Sequence, residues 1–293
     1  MTTPGPELRA LRRALGQARA QLARPLPWVG VDEPWAILVA EVMLQQTSTG
    51  RVREAWRPFL DRFPSPAACA HAPQAAVVAA WVGLGYNRRA VALHRAARSI
   101  VEDHGGRVPS TVAELQDLAG IGPYTARAVA SFAFGRAVGV VDTNAGRVLA
   151  RAVANARLRA AEAQGLADQL VRGAASAPVN QSLLDLGAQY CRPRPRCSDC
   201  PALGACRWRR DGGPDPAVRS AGVTGPQGPF AGSGRQARGA VVRSLRDGPR
   251  GVRAVAGDTG LSDDRLARAL VSLVRDGLIE ERGDRIALRG ERR

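Results

Sequence analysis

From its start to about residue 210 the chain repeats apolar residues at helical spacing, punctuated by Pro and Gly, which predicts a mostly helical body. One helix is expected to open at Asp32-Glu33-Pro34, where an acidic cap precedes a proline suited to the first turn. It should run through WAILVAEVMLQQT (35–47). On it Trp35, Leu38 and Val42 share one face, while Glu41 and Gln45 share another. A further helix start is read at Thr111, because Thr111 and Glu114 have capping-box spacing. Residues 211–234 lose periodicity and are rich in Gly and Pro, as a linker or docked strap would be. Residues 235–293 read as three helices and then two short strands around a Gly-Asp turn, the order of a winged-helix-like domain. The expected fold class is all-α: a helical core over 1–210, a linker over 211–234 and a small domain over 235–293.

Composition sharpens this picture. Hydrophobic residues make up 45% of the 293 but aromatics only 4%, so the core must be built from Ala, Leu and Val. The formal charge of +16 favours a polyanionic partner, nucleic acid first, against a bland bias toward Arg. All 42 basic residues are Arg. With no Lys, side-chain Schiff-base chemistry is excluded. The longest apolar run, 75–85, is too short to span a bilayer, and the basic start has no apolar signal region. A cytoplasmic, reducing setting is therefore expected, and in it clustered cysteines read as metal ligands rather than disulfides.

Four stretches carry candidate chemistry. In LAGIGPYTARAVASFAFG (118–135) a turn at Gly120-Ile121-Gly122 leaves helix N-terminal amides free to hold a phosphate; the alternative is a plain helical hairpin. In VVDTNAGRVLARAV (140–153) Asp142 ends an apolar run and precedes a helix, so it is either an N-cap or a catalytic carboxylate. In EVMLQQTSTG (41–50) Glu41 lies among Ile37, Val42, Met43 and Leu44. A carboxyl in such company can stay protonated near neutrality, unless its head reaches water. Finally, Cys191, Cys197, Cys200 and Cys206 have the spacing Cys-x5-Cys-x2-Cys-x5-Cys, which suits tetrahedral zinc or a [4Fe–4S] cluster alike. His71, His94, His104 and Cys69 are isolated and read as structural.

Taken together and in this order, these motifs resemble the helix-hairpin-helix glycosylase superfamily, which includes endonuclease III and the MutY-type adenine DNA glycosylases. The resemblance covers about residues 20–210. EVMLQQT (41–47), GLGY (83–86), GIGPYTA (120–126), VVDTN (140–144) and NQSLLDLGA (180–188) look like the MutY type. It implies that Glu41 protonates the leaving adenine and that Asp142 steadies the sugar cation. Tyr124 stands where lyases of the superfamily carry Lys, so base removal should leave an abasic site. Tyr86 and Gln45 or Gln46 resemble residues that wedge into the base stack. Trp28, Asn144 and Gln181 resemble adenine-pocket and site-supporting residues, and Gly120, Gly122 and Thr125 belong to the DNA-binding hairpin motif. The four clustered cysteines resemble the ligands of a [4Fe–4S] cluster. The implied partner is double-stranded DNA with adenine opposite 8-oxoguanine or guanine, bound by a monomer away from any membrane.

Three features depart from the family pattern. The first cysteine gap is x5 where x6 is usual, and Val29 follows Trp28 where many members have Arg. The winged-helix-like tail stands where many relatives carry a NUDIX-like reader of 8-oxoguanine. Two rival readings remain at this point. One is a thymine- or uracil-removing glycosylase, which Tyr124 suits equally. The other is a cluster-bearing DNA-binding regulator, against which the presence of both Glu41 and Asp142 argues.

Overall fold

The computed structural model describes residues 5–220 and 228–290. These fall into two compact units, and the fold is all-α apart from one small sheet.

The first unit holds residues 5–32, 110–112 and 122–220. Helix Pro6–Gln17 spaces Leu8, Leu11 and Leu15 along one buried stripe. That stripe packs with Val140, Leu149, Leu170 and Leu183 from the rest of the unit. Each buried aliphatic side chain contributes about 1.5–3 kcal/mol. Helix Pro123–Phe134 begins after Gly122 and stops at Gly135 in the left-handed conformation. Helix Thr143–Val148 continues as a wider π-helical stretch over Leu149–Ala154. Residues 212–220, expected as linker, form a docked strap: Arg151 donates two hydrogen bonds to Asp215, and Leu158 N–H donates to Ser220 Oγ. Residues 221–227 of the expected linker lie outside the described residues.

The second unit holds residues 33–109, 113–121 and 228–290. Its helix Pro34–Leu44 starts as expected, with the Glu33 side chain accepting from Trp35 N–H and Ala36 N–H and Pro34 in the first turn. It ends at Leu44 rather than 47, and every residue from Trp35 to Met43 is buried. The anticipated second face through Glu41 and Gln45 is therefore not a polar face. Glu41 lies inside, and Gln45 stands past the helix end. Helix Val112–Asp117 begins directly after Thr111. Gly120 has φ +78°, and a Cβ there would lie 2.6 Å from that of Ala92, so only glycine fits the turn.

Three helices, Gly234–Ser244, Val252–Thr259 and Asp263–Arg275, combine with an antiparallel sheet of β1 (Arg250–Gly251), which lies between the first two helices, and β2 (Ile279–Arg282) and β3 (Arg285–Leu288), which follow the third, in the order β1-β3-β2. β1 is an addition to the expected hairpin; at two residues it is too short to show an alternating pattern. This module shares the second unit's contacts: Gln74 Nε2 donates to Gly277 O at 2.9 Å. No helix among the described residues is long and apolar enough to cross a membrane.

Candidate active site

In the first unit, Asp142 caps helix Thr143–Val148: its Oδ1 accepts Ala145 N–H at 2.8 Å. Capping does not account for the other oxygen. Asp142 Oδ2 accepts from Asn144 Nδ2 at 2.7 Å, and Asn144 Oδ1 in turn accepts from Arg147 Nη2 at 2.7 Å. Arg147 is buried and also donates to Gly187 O at 3.0 Å and, through Nε, to Cys191 O at 2.7 Å. Gly187 permits this approach, because a Cβ there would lie 2.5 Å from Asn144 O. Burial pushes the Asp142 carboxyl above its ordinary value of 3.8. The bonds from Ala145 and Asn144 and the charge of Arg147 oppose that push by favouring the anion.

Other predicted residues share this unit. Tyr124 is half-buried against the first unit's core, and Thr125 and Trp28 are buried. Gln181 Nε2 donates to Asp185 Oδ2 at 3.0 Å, and Asp185 also pairs with Arg24. Gly122 stands at the head of helix Pro123–Phe134.

In the second unit, Glu41 is only 5% exposed. The segment after its helix is held by Arg89, whose Nη1 donates to the carbonyls of Val42, Met43 and Gln45 at 2.9, 2.8 and 2.6 Å. Its Nη2 donates to Thr47 Oγ1, Leu84 O and Gly85 O. A cation here satisfies carbonyls that a helix end leaves open. Burial lowers the Arg89 guanidinium to about 10, so it stays charged near neutrality. Arg89 also holds Tyr86, donating to its carbonyl at 3.4 Å and lying 5.5 Å from its ring centroid. Gln45 Nε2 donates to Gly120 O at 3.2 Å. Gln46 and Tyr86 both have left-handed backbones, with φ 56° and 48°. Gln45, Gln46, Tyr86 and Gly120 are thus assembled in one unit with Glu41, while Asp142, Asn144, Tyr124, Thr125, Trp28, Gly122 and Gln181 belong to the other.

Cys191, Cys197, Cys200 and Cys206 line one cavity together with Arg151, Tyr190 and Trp208. Among the described residues no three His, Cys, Asp or Glu side chains meet closely enough to hold a single ion. Arg151 Nη1 donates to Cys191 Sγ at 3.4 Å and to Arg192 O at 2.7 Å. Cys69 is a buried core thiol that burial pushes up to about 12, and His94 is buried with Nε2 3.0 Å from Ala72 O.

The family model for the HhH-GPD superfamily of base excision DNA repair proteins matches residues 39–172. An adenine DNA glycosylase of Mycolicibacterium smegmatis is 44% identical over 277 residues, covering 92% of this chain and 92% of that protein. The chain belongs to the HhH-GPD superfamily of base excision DNA repair proteins. A solved thermostable thymine-DNA glycosylase covers 70% of this HhH-GPD protein and 97% of that chain at TM-score 0.65 and 28% identity. A structure of a trapped endonuclease III–DNA covalent intermediate covers 72% and 99% at TM-score 0.60, and at 21% identity it supports the fold alone. A match over 92% of the chain must run into residues 235–293, which form a fifth of it, so the relative shares part of the C-terminal module.

Reasoning from sequence missed the residues that organise this HhH-GPD site. Arg89, Arg147, Arg151, Asp185 and Asp215 each have a partner far away in the chain. Arg147 and Arg151 alone carried a local signal: two arginines four apart on one helical face, in an otherwise apolar stretch.

Proposed function

We propose that the protein is a monofunctional adenine DNA glycosylase of base excision repair that hydrolyses the N-glycosidic bond of adenine opposite 8-oxoguanine or guanine. One observation carries the reading: Glu41 is buried within an apolar helix, while the Asp142 carboxyl is fitted with two N–H donors. Glu41 is enclosed by an apolar helix and only 5% exposed. Asp142 accepts two N–H bonds and faces a buried arginine, which favour its anion against the larger push of burial toward the neutral form. The similarity to an adenine DNA glycosylase across nearly the full chain supports the substrate class.

A target base must leave the duplex stack before either carboxyl can reach it. Glu41 then gives its proton to a ring nitrogen of adenine, a step worth roughly 10²–10⁴-fold. The bond from the sugar to the base breaks with its electron pair passing to adenine, and the deoxyribose gains oxocarbenium character. Ionised Asp142 stabilises that cation, as a carboxylate does in sugar hydrolysis. Water adds to the sugar carbon, its proton is lost, and an abasic site remains. The chain has no Lys to go on to strand cleavage.

Cys191, Cys197, Cys200 and Cys206 would hold a [4Fe–4S] cluster, which when bound cross-links the loop through iron–thiolate bonds. The double-stranded DNA partner is bound by a monomer in this reading, with the helical core over 1–210 as the catalytic body and 235–293 as a winged-helix-like domain.

The test is a single-turnover excision panel on adenine:8-oxoguanine, adenine:guanine and thymine:guanine duplexes. Adenine release from the first two supports the reading. Thymine release with adenine untouched would instead favour the chemistry named for the similar thymine-DNA glycosylase.

A further inference from the structure

Arg235, in the first turn of helix Gly234–Ser244, joins the C-terminal module to Tyr86. Its Nη1 donates to the Tyr86 hydroxyl at 3.0 Å, and its Nη2 donates to Gly228 O at 2.7 Å and Pro229 O at 3.4 Å. Its guanidinium also lies 5.9 Å from the Tyr86 ring centroid. Both residues belong to the second unit, and the module is seated there by further contacts. Gln74 donates to Gly277 O, while Arg238 and Arg88 approach Asp276 at 2.7 and 3.8 Å.

Tyr86 is therefore held at two points. Arg89 fixes its backbone, which at φ 48° is in the left-handed region that non-glycine residues rarely adopt. Arg235 fixes the far end of its ring. A side chain that must enter a base stack loses rotamer freedom on doing so, and holding it beforehand removes that cost from binding.

We propose that Arg235 is a positioning residue for the DNA contact made by Tyr86, so that the C-terminal module takes part in lesion binding through that ring. The inference rests on the reading of Tyr86 as a stack-wedging residue. The module then completes the wedge, and its covalent attachment alone does not suffice.

A double-mutant cycle tests this, using the full chain and a duplex with a non-hydrolysable adenosine analogue opposite 8-oxoguanine. Arg235→Ala and Tyr86→Phe should each weaken binding about five- to ten-fold, because each removes the same charge-assisted hydrogen bond. The double variant should be no worse than either single one. For Arg235→Ala the loss should appear in the enzyme concentration needed for half-maximal excision more than in the rate at saturation, a split that a general loss of folding would not reproduce. A 2-aminopurine beside the lesion should report reduced unstacking in both variants. If Arg235→Ala weakens binding equally with and without the phenol, Arg235 acts on DNA by itself and the inference fails. It fails also if Tyr86→Phe, which leaves the bonds to Gly228 and Pro229 in place, binds like the parent while Tyr86→Ala does not. If Tyr86→Ala itself binds like the parent, the wedge reading is what has failed.

Discussion

Asn144 donates to Asp142 Oδ2 at 2.7 Å while its own oxygen accepts from Arg147, so the amide is held at both ends and its orientation is fixed. The carboxylate that a helix cap would aim only at Ala145 is thereby given a second, charge-favouring partner.

Replacing Asp142 separates its capping from its chemistry. Asn also caps helices well, so Asp142→Asn should keep stability within about 0.5 kcal/mol, whereas Asp142→Ala should lose about 1 kcal/mol. Both should lower adenine excision by at least about 10²-fold, since both remove the negative charge. Denaturant melts and single-turnover rates on the same preparations separate the effects.

Excision should fall on the acid side of its pH profile as Asp142 gains a proton. Burial raises Asp142 above 3.8, so the acid limb should lie above the ordinary carboxylate range. Asn144→Ala removes a bond that favours the anion and should move that limb to still higher pH. Single-turnover rates from acid to alkaline buffers, parent against variant, check the direction.

Arg147 links Asn144 to the cysteine loop through Cys191 O. Arg147→Ala should slow excision roughly 10-fold or more, because a misplaced amide misplaces Asp142. Changing Cys200 to Ser should lower iron and sulfide content together. Elemental analysis of purified protein should find both, with no stoichiometric zinc.

Arg89→Leu leaves carbonyls of Val42, Met43 and Gln45 without their shared donor. At about 1–3 kcal/mol for each group left unsatisfied in the interior, the loss should reach about 3 kcal/mol or more. Arg89→Lys should recover little, because a single ammonium cannot reproduce the fork. Chemical denaturation of the three proteins gives the comparison.

Local chemistry made much of this legible. Glu33-Pro34 opened a helix because cap and proline act within one turn, and the Gly283-Asp284 turn placed two strands correctly. The cysteines were readable as one ligand group because they lie within sixteen residues of each other, and they line one cavity. The end of helix Pro34–Leu44 was not legible. It is set by Arg89, more than forty residues away, which takes up the terminal carbonyls that a longer helix would have used. For the same reason the pairing of Arg151 with Asp215, 64 residues apart, and of Arg235 with Tyr86, 149 apart, could not be read from either residue's neighbours.

The central claim is that two carboxyls of opposite protonation release adenine, and the direct measurement is single-turnover excision from an adenine:8-oxoguanine duplex by the parent, Glu41→Gln and Asp142→Asn, with binding measured on the same duplex. The account predicts rapid adenine release by the parent and loss of release by both variants, each still binding the duplex. Variants that excise adenine as the parent does would contradict it.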